Sequence, residues 1–403
     1  MDNVIRSYRY RLLPTKVQRR ALEGILEQQR ILYNAALEER ISFYNRKGKS
    51  RSFIDQCYAL TQCRREIHEM SEVSPLLQRW TLKRVDDAFD KFFKRIKAKQ
   101  KAGFPRFRSL NRWCAFGFQE FRGIHIDGRR LRFRGMPSGL IVHFHRCLPV
   151  DANIRSCAFR RDDKGWSICF HVAVDTPPPR IPKTSVGIDM GLVTFAHQSD
   201  GIAIPNPRIA RRAEKELRRR QRALQRCRVG SNRRKKVLAG VSKLHRKVVN
   251  TRETFLHQQS ARIVRDYDLI GVEALQVANM VRSPLFSRAI GDASWSKFLG
   301  FLSYKAEGAG ATLIRVNPKN TSQRCSGCQE PVPKSLAVRT HSCPHCGLVM
   351  DRDHNAAMNI LQAVAGLGGH NVAHQSERGH GNTKAFVPGS LPMSSIRVRD
   401  FPQ

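Results

Sequence analysis

The chain begins with a strand pattern. Residues 4–13 alternate, with Tyr8, Tyr10 and Leu12 on one face and Arg9 and Arg11 on the other. This period of two predicts a half-buried strand with a basic outer face.

Three helical patterns follow this strand. Thr15 is a predicted N-cap, and apolar residues recur at helical spacing from there to about Lys47. A second helical pattern covers residues 53–67, and a third covers residues 76–96. The aromatic side chains of the third pattern follow its helical period, so we predict that they form core rather than a base-stacking surface.

Short strand patterns separated by turn signals continue from Gly103 to about Val174. We predict that residues 1–14 and 103–176 form one β-barrel and that residues 15–102 are a helical insertion in it. The run Pro177–Pro179 is the predicted linker to the rest of the chain.

The pattern after the linker is α/β. Asp189 ends one apolar strand and Glu273 lies within another. The predicted elements are, in order, a strand at 185–190, a hairpin at 192–204, a helical hairpin at 208–247, a strand at 266–275, a helix at 295–307 and a strand at 311–316.

Four cysteines near the C-terminus have the spacing C-x2-C-x14-C-x2-C, at Cys325, Cys328, Cys343 and Cys346. Two closely spaced thiolate pairs suit a closed tetrahedral zinc site. The alternative, four unrelated core cysteines, does not explain this spacing. A ribbon this small has little core of its own, so we expect one structural zinc ion to stabilise its fold.

The net charge of the chain indicates what kind of partner it binds. The chain has 72 Lys and Arg against 33 Asp and Glu, a net charge of +39, which implies a polyanion. We favour nucleic acid over an anionic membrane, because no apolar run approaches ~20 residues and the N-terminus lacks a signal-peptide core. Seven of the eleven cysteines are scattered singly, which favours a reducing cytoplasm.

Three acids lie where an acid is costly: Asp189 and Glu273 on apolar strands, and Asp353 at the start of a predicted helix. Strand, strand and helix start is the order in which an RNase H-like fold brings three acids together. Such a trio can bind two magnesium ions for phosphodiester hydrolysis. The alternative is a turn role for Asp189 and a salt bridge at the core edge for Glu273.

Several motifs resemble the TnpB family of transposon-encoded RNA-guided endonucleases, which are relatives of the type V CRISPR effectors. VGIDMGL, GVEAL and DRDHNAAMNI resemble its three RuvC motifs, and NPKNTSQRCSGC and LAVRTHSCPHCGLVMDRD resemble its zinc ribbon. GFPRFRS is a further family sequence, and the resemblance covers about residues 1–365.

The resemblance implies a multidomain α/β and α+β protein with a RuvC-like nuclease domain and an inserted zinc ribbon, preceded by a β-barrel wedge domain with a helical recognition insertion. The expected domains are 1–14 with 103–176 (wedge), 15–102 (recognition), 183–320 with 349–365 (nuclease), 321–348 (ribbon) and 366–403 (disordered tail).

By resemblance, Asp189, Glu273 and Asp353 are the catalytic acids that bind two Mg²⁺ ions. Asp351 is the alternative for the third acid, but the family places that acid directly before x-N-A-A, which selects Asp353. Arg339 corresponds to a basic residue near the scissile phosphate. One departure is Gln329, where the family usually has glycine after the second cysteine.

The implied partners are a guide RNA derived from the transposon end and double-stranded target DNA beside a short adjacent motif, with one protein copy per RNA. We expect a bacterial or archaeal protein of the cytoplasm, associated with the nucleoid. The candidate nucleic-acid contacts are Gln78, Thr81 and Lys83 for the adjacent motif, and Arg218, Arg219, Arg220 and Arg222 for phosphates.

The basic segment Arg208–Lys247 contains 17 Lys or Arg and two acidic residues, which favours phosphate contacts. Two other functions stay open at this point. One is a catalytically inactive RNA-guided repressor, which the intact acids disfavour. The other is a transposase acting directly on element ends, for which the sequence offers no convincing tyrosine nucleophile.

Overall fold

The computed structural model describes residues 3–368 except 111, 150, 151, 163 and 336. The predicted tail therefore lies outside the described residues from 369 onwards, and residues 366–368 belong to the last helix. The chain forms two compact units. The first comprises Met1–Ile181 and Leu302–Thr312, and the second comprises Pro182–Phe301 and Leu313–Gln403.

The first unit contains seven strands and four helices among its described residues before the linker. In chain order they are β1 (Asn3–Leu13), α1 (Lys16–Lys47), α2 (Phe53–Glu66), α3 (His68–Ser71), α4 (Pro75–Lys97), β2 (Ala115–Phe118), β3 (Ile124–Asp127), β4 (Arg130–Phe133), β5 (Leu140–His143), β6 (Asn153–Asp162) and β7 (Gly165–Asp175).

Local sequence signals set the limits of α1. Thr15 caps its N-terminus with a capping box completed by Gln18, and Gly48 ends it with a left-handed φ of 63°. The three long helices and the first strand confirm the sequence prediction in type and position.

The seven strands form one sheet in the order β2-β6-β7-β1-β5-β4-β3. The sheet is strongly curled, because Phe133 of β4 and Phe159 of β6 have ring centroids 5.1 Å apart although three strands lie between them. Its edge strands β2 and β3 are not hydrogen-bonded neighbours in the described part of the chain, so the predicted barrel is an open, curled sheet. Both edge strands are only four residues long.

The second unit follows the predicted α/β order. Its elements are β8 (Ser185–Met190), β9 (Thr194–Gln198), β10 (Ala203–Pro205), α5 (Ile209–Gln225), α6 (Asn232–Asp266), β11 (Leu269–Glu273), α7 (Val277–Met280), α8 (Ser287–Ala293), α9 (Trp295–Ala309, shared with the first unit), β12 (Thr312–Val316), β13 (Thr340–Ser342), β14 (Val349–Asp351) and α10 (Arg352–Gly368).

Five of these strands form a mixed sheet in the order β10-β9-β8-β11-β12. β9 runs antiparallel to both β10 and β8, whereas β11 runs parallel to β8 with Val272 opposite Ile188. The core strands are apolar because both faces are covered: Val186, Ile188 and Val272 are fully buried on one face, and Gly187 and Gly271 contact α10 on the other.

Helix α10 packs directly onto the backbone of β8 and β11 at two glycines. A Cβ on Gly187 would lie 2.2 Å from the carbonyl oxygen of Ala357, and one on Gly271 would lie 2.6 Å from Val364 Cγ2. Only glycine, which has no Cβ, permits this approach. The contact fixes the height of α10 above the strands, and therefore the position of its first turn.

Helices α5 and α6 form the predicted basic hairpin, and the side-chain oxygen of Ser231 caps α6. The carboxylate of Asp292 on α8 caps the other helix, accepting from the amides of Ala210 (2.9 Å) and Arg211 (3.3 Å). Asp292 also forms an ion pair with Arg252 at 2.9 Å. The sequence analysis did not find this anchor, because it joins residues about 80 positions apart.

No helix in the described part of the chain is long and apolar enough to cross a membrane.

Candidate active site

Two of the predicted acids lie at one end of the mixed sheet. Because Val272 pairs with Ile188 in a parallel ladder, Glu273 and Asp189 are the next residues on adjacent strands. Asp189 is half-buried, and so is Glu273. Their neighbours in each strand are fully buried, so both carboxylates are anchored by the sheet core.

The third acid, Asp353, lies in the first turn of α10. Its Oδ2 is 3.9 Å from the point that a Cβ on Gly191 would occupy, so it lies beside the residue that follows β8. Asp351 has a different role: its Oδ1 accepts from the amides of Asp353 (2.8 Å) and His354 (3.1 Å). This capping bond engages Asp351 in supporting the helix start.

The three acids repel one another electrostatically. Burial raises the pKa of Asp189 well above its usual value, and the carboxylates of Glu273 and Asp353 raise it further. Burial also raises the pKa of Glu273, against a hydrogen bond from Thr321 that lowers it. Such a cluster of desolvated carboxylates fits divalent cations with oxygen ligands.

Two arginines contact Asp353. Arg352 Nη2 lies 3.2 Å from its Oδ1, and Arg339 Nη1 lies 3.6 Å from its Oδ2. The Arg352 side chain is 13% exposed and that of Arg339 is 51% exposed. The predicted residue Arg339 is therefore close to the acids and also accessible from solvent.

The ligand atoms of Asp189, Glu273 and Asp353 do not all lie within 4.8 Å of one another in the described structure, whereas those of His197, Asp351 and Asp353 do. His197 is opposite Asp189 on β9, and its Nδ1 lies 3.3 Å from Asp351 Oδ1. The sequence analysis missed His197, because only the hairpin register places it beside the acids.

The four predicted zinc ligands converge. All four sulfurs lie within 4.8 Å of one another, and the Sγ atoms of Cys325–Cys346 and Cys328–Cys343 are 3.6 Å apart. Disulfide bonds are about 2.05 Å long, so these are separate thiols. Zn–S bonds of ~2.3 Å in a tetrahedron require sulfurs about 3.8 Å apart, which this cluster nearly matches.

One cysteine of the cluster, Cys343, favours the thiolate form, whereas burial and hydrogen bonds with the other sulfurs raise the pKa values of Cys328 and Cys346. Burial opposes ionisation of Cys343, but the amides of Cys346 and His345 donate to its sulfur, and its pKa is lowered to about 6. A thiolate at neutral pH is the form that binds zinc. The donor set and the spacing fit one zinc ion.

Two buried asparagines of α10 attach the cysteine segment, residues 321–348, to this helix, which has Asp353 in its first turn. Asn355 Nδ2 donates to the carbonyl of Arg324 (2.7 Å), and its Oδ1 accepts from the amide of Ser326 (2.9 Å). Asn359 Nδ2 donates to the carbonyls of Thr321 and Arg324, at 2.8 Å each. The sequence analysis used the x-N-A-A motif only to assign Asp353 and missed these contacts.

Gln329 adopts a left-handed φ of 67°, which explains why a glycine suits this position. Its side chain donates to Asn359 at 3.2 Å and to Gln362 at 2.5 Å. These bonds to α10 offset part of the backbone strain.

The candidates for recognition of the adjacent motif lie on α4. Gln78 and Thr81 are buried, 3% and 0% exposed, because they share the core-facing side of the helix with Leu82 and Val85. Gln78 donates to the carbonyl of Met70 at 2.9 Å, and Thr81 donates to Gln29 at 2.7 Å. Neither side chain is available to a base edge, so we do not retain these two as base-contacting residues.

The third candidate on α4, Lys83, is partly exposed and forms ion pairs with Asp86 (2.7 Å) and Asp87 (3.5 Å). Its ammonium group is thus already neutralised in the free protein. A nucleic-acid contact by Lys83 stays a prediction.

The predicted phosphate-binding arginines lie on α5. Arg218 pairs with Glu214 at 2.6 Å, and Arg219 pairs with Glu216 at 2.8 Å. Arg220 also pairs with Glu216, at 2.7 Å, and its guanidinium packs close to Gly240 of α6. Arg222 is exposed, as is most of the Arg219 side chain. Arg218 is exposed as well, so these three arginines are accessible to a ligand.

Three family models match parts of the chain. Residues 167–284 match the OrfB_IS605 family, described as "Probable transposase". Residues 295–360 match "Cas12f1-like, TNB domain", and residues 1–49 match "Helix-turn-helix domain". In this chain the last region is one strand and one 32-residue helix rather than two helices.

A Streptomyces pristinaespiralis protein named "Putative RNA-guided DNA endonuclease" is 30% identical over 368 residues, which is 90% of each chain. The chain belongs to the TnpB family. A protein with the same description from Escherichia coli K12, InsQ, is 25% identical over 382 residues and matches 89% of this chain and 92% of its own.

A solved structure supports the same fold for this TnpB-family chain. It is the cryo-EM structure of a Cas12f1–sgRNA–target DNA complex, with a TM-score of 0.59 and 16% sequence identity. The alignment covers 86% of this chain and 83% of the Cas12f1 chain. At 16% identity this likeness shows the fold alone.

Proposed function

We propose that this chain is an RNA-guided, metal-dependent DNA endonuclease of an insertion sequence, which cuts double-stranded DNA beside a short adjacent motif. One observation supports it most: Asp189 and Glu273 follow the paired residues Ile188 and Val272 on adjacent parallel strands, and Asp353 lies beside Gly191 at the end of the first strand. Burial and the two other carboxylates raise the pKa of Asp189 in this arrangement. Such an arrangement is costly without a cation. The mixed strand order and the position of the acids are those expected for an RNase H-like, RuvC-type domain.

The residues have distinct roles in this proposal. Asp189, Glu273 and Asp353 are ligands for two magnesium ions, with Asp189 between the other two acids. Bound there, magnesium would supply water activation and charge neutralisation at the leaving oxygen. Arg352 holds Asp353 from the buried side, and the more exposed Arg339 can contact the scissile phosphate.

The four cysteines are proposed to bind one structural zinc ion. The ribbon core is small: Cys325, Cys343 and Val332 are its buried members, with Cys328 and Leu348 packed against them. So little apolar area cannot stabilise the segment alone, and metal binding would provide the folding free energy.

The proposed partners are a guide RNA from the transposon end and a double-stranded DNA target, bound by one protein copy per RNA. The names of the similar proteins include an RNA-guided activity, and the solved relative is bound to both nucleic acids. The net charge of +39 and the exposed arginines of α5 suit two polyanions. We further propose a wedge domain at 1–14 with 103–176, a recognition insertion at 15–102, and a cytoplasmic, nucleoid-associated location.

The test is purification of the protein with its RNA, followed by cleavage and binding assays on one preparation. We expect a discrete copurified RNA and magnesium-dependent cutting of a matching duplex. Asp189→Asn should lower the cleavage rate by several orders of magnitude. Binding should stay intact, because it depends on many dispersed basic residues. Asp127→Asn, at an acid with a 78% exposed side chain, is the control and should cut normally. Guide-directed binding without cutting by the unmodified protein would instead indicate a repressor.

A further inference from the structure

The catalytic glutamate has a hydrogen-bond donor in the cysteine segment. The hydroxyl of Thr321 contacts both Glu273 Oε1 and the carbonyl oxygen of Pro318, the latter at 3.1 Å. A hydroxyl has one proton, and an ionised carboxylate is the stronger acceptor. The proton is therefore expected to lie toward Glu273.

The position of Thr321 is itself fixed by the attachment of the cysteine segment to α10. The Asn359 amide bonds to the carbonyl of Thr321 at 2.8 Å, and Asn355 bonds to both sides of Cys325. Both asparagines are buried, 8% and 0% exposed. Asp353 lies at the start of the same helix, so two catalytic acids depend on one rigid attachment.

We propose that Thr321 is a positioning residue that orients Glu273 for metal binding, and that the cysteine cluster controls this orientation through the backbone of residues 321–326. The inference rests on the proposed function of the three acids. Ordering of the cluster by zinc would thus be transmitted to the catalytic metal site over a few hydrogen bonds. The zinc ribbon would act on catalysis as well as on folding.

The physical reason is geometric. Glu273 has three side-chain torsions, and its strand fixes only the backbone. A donor to one carboxylate oxygen holds the plane of the carboxylate and leaves the second oxygen for a metal ion. Outer-shell partners of this kind typically change metal affinity or activity by about 10–100-fold when removed.

The first experiment compares Thr321→Val, which removes the hydroxyl at nearly constant volume, with Thr321→Ser, which keeps it. Thr254→Val on α6 is the control, because that exposed hydroxyl bonds only to its own helix at Asn250 in the described contacts. Single-turnover cleavage is measured together with Mn²⁺ affinity by EPR and target binding. We expect Thr321→Val to lower cleavage and Mn²⁺ affinity by about 10–100-fold, with serine restoring both and target binding unchanged.

Equal Mn²⁺ affinity and cleavage for Thr321→Val and the unmodified protein would overturn the role of Thr321. Loss of zinc or of target binding in Thr321→Val, without rescue by serine, would also overturn it, because the residue would then be structural. If the unmodified protein does not cut at all, the proposed function fails. The Mn²⁺ measurement still tests Thr321 in that case.

A second experiment tests the coupling to zinc. Cys346→Ser changes the exposed zinc ligand, and its effect on Mn²⁺ affinity is measured with Thr321 and with Thr321→Val. We expect a clear loss of affinity in the first background and a much smaller one in the second, because the route through the hydroxyl is already broken. Equal losses in both backgrounds would overturn the coupling.

Discussion

The close contact between Gly187 and α10 allows a test of how Asp353 is positioned. In Gly187→Ala the new Cβ would lie 2.2 Å from the carbonyl oxygen of Ala357 and 2.5 Å from the amide nitrogen of Leu361. Both atoms are helix backbone, so no side-chain rotation relieves the overlap. Restoring an ordinary contact of 3.4 Å requires α10 to move by about 1.2 Å.

The displacement has two expected consequences. Overpacking of this kind costs about 1–3 kcal/mol of stability. Moving the first turn of α10 by ~1 Å also moves Asp353 relative to Asp189, and a misplacement of that size can cost about 100-fold in rate. We therefore expect Gly187→Ala to fold, to bind RNA and target, and to cut roughly 100-fold more slowly.

Gly300→Ala is the matched control. Gly300 lies within α9, and a Cβ there would meet no atom within 4 Å. Alanine in a helix interior is more favourable than glycine by about 0.5–1 kcal/mol, so this variant should be at least as stable as the original. Thermal unfolding and single-turnover cleavage are measured for both variants. Normal cleavage by folded Gly187→Ala would refute the idea that this contact positions Asp353.

Three further predictions follow from the metal sites and the basic hairpin. Metal analysis should give about one zinc per chain, and Cys343→Ser should lower both zinc content and thermal stability; a zinc-free, fully active preparation would contradict this. Replacing Arg219 and Arg222 by glutamine should weaken binding to all sequences alike and reduce its salt dependence, whereas altered sequence preference at unchanged affinity would count against phosphate contacts. In EDTA the raised pKa of Asp189 means that the folded protein binds this proton more tightly than the unfolded chain, so the free energy of unfolding falls as the pH rises from about 3.9 through the folded pKa. Asp189→Asn should lack this decrease and be more stable than the original at pH 7 in EDTA, and an equal pH dependence in urea titrations would refute the assignment.

Periodic patterns and cap residues predicted most of the elements. The strand at the N-terminus, the long helices and the two-helix basic hairpin agree with the structure, because each depends on neighbouring residues. Zinc-ligand spacing was likewise sufficient to predict that the four cysteines meet. These features are local in sequence, and local chemistry determines them.

The remaining errors concern contacts between distant segments. Gln78 and Thr81 are polar residues on the buried side of α4, and the sequence does not reveal that Met70 and Gln29 satisfy their hydrogen bonds there. Nor does it reveal that Thr321 meets Glu273, since 48 residues separate them. Such pairs are set by the packing of whole elements, which one sequence does not specify.

Replacing Gln329, which has a left-handed backbone, by glycine would have two opposing effects. Glycine at this position would relieve roughly 1 kcal/mol of backbone strain but would remove two tethers to α10. One tether ends on Asn359, which also bonds to the backbone of Thr321. Glutamine provides a cross-link where glycine would provide a flexible turn, so glycine here would relieve strain, lose rigidity and not be a neutral substitution.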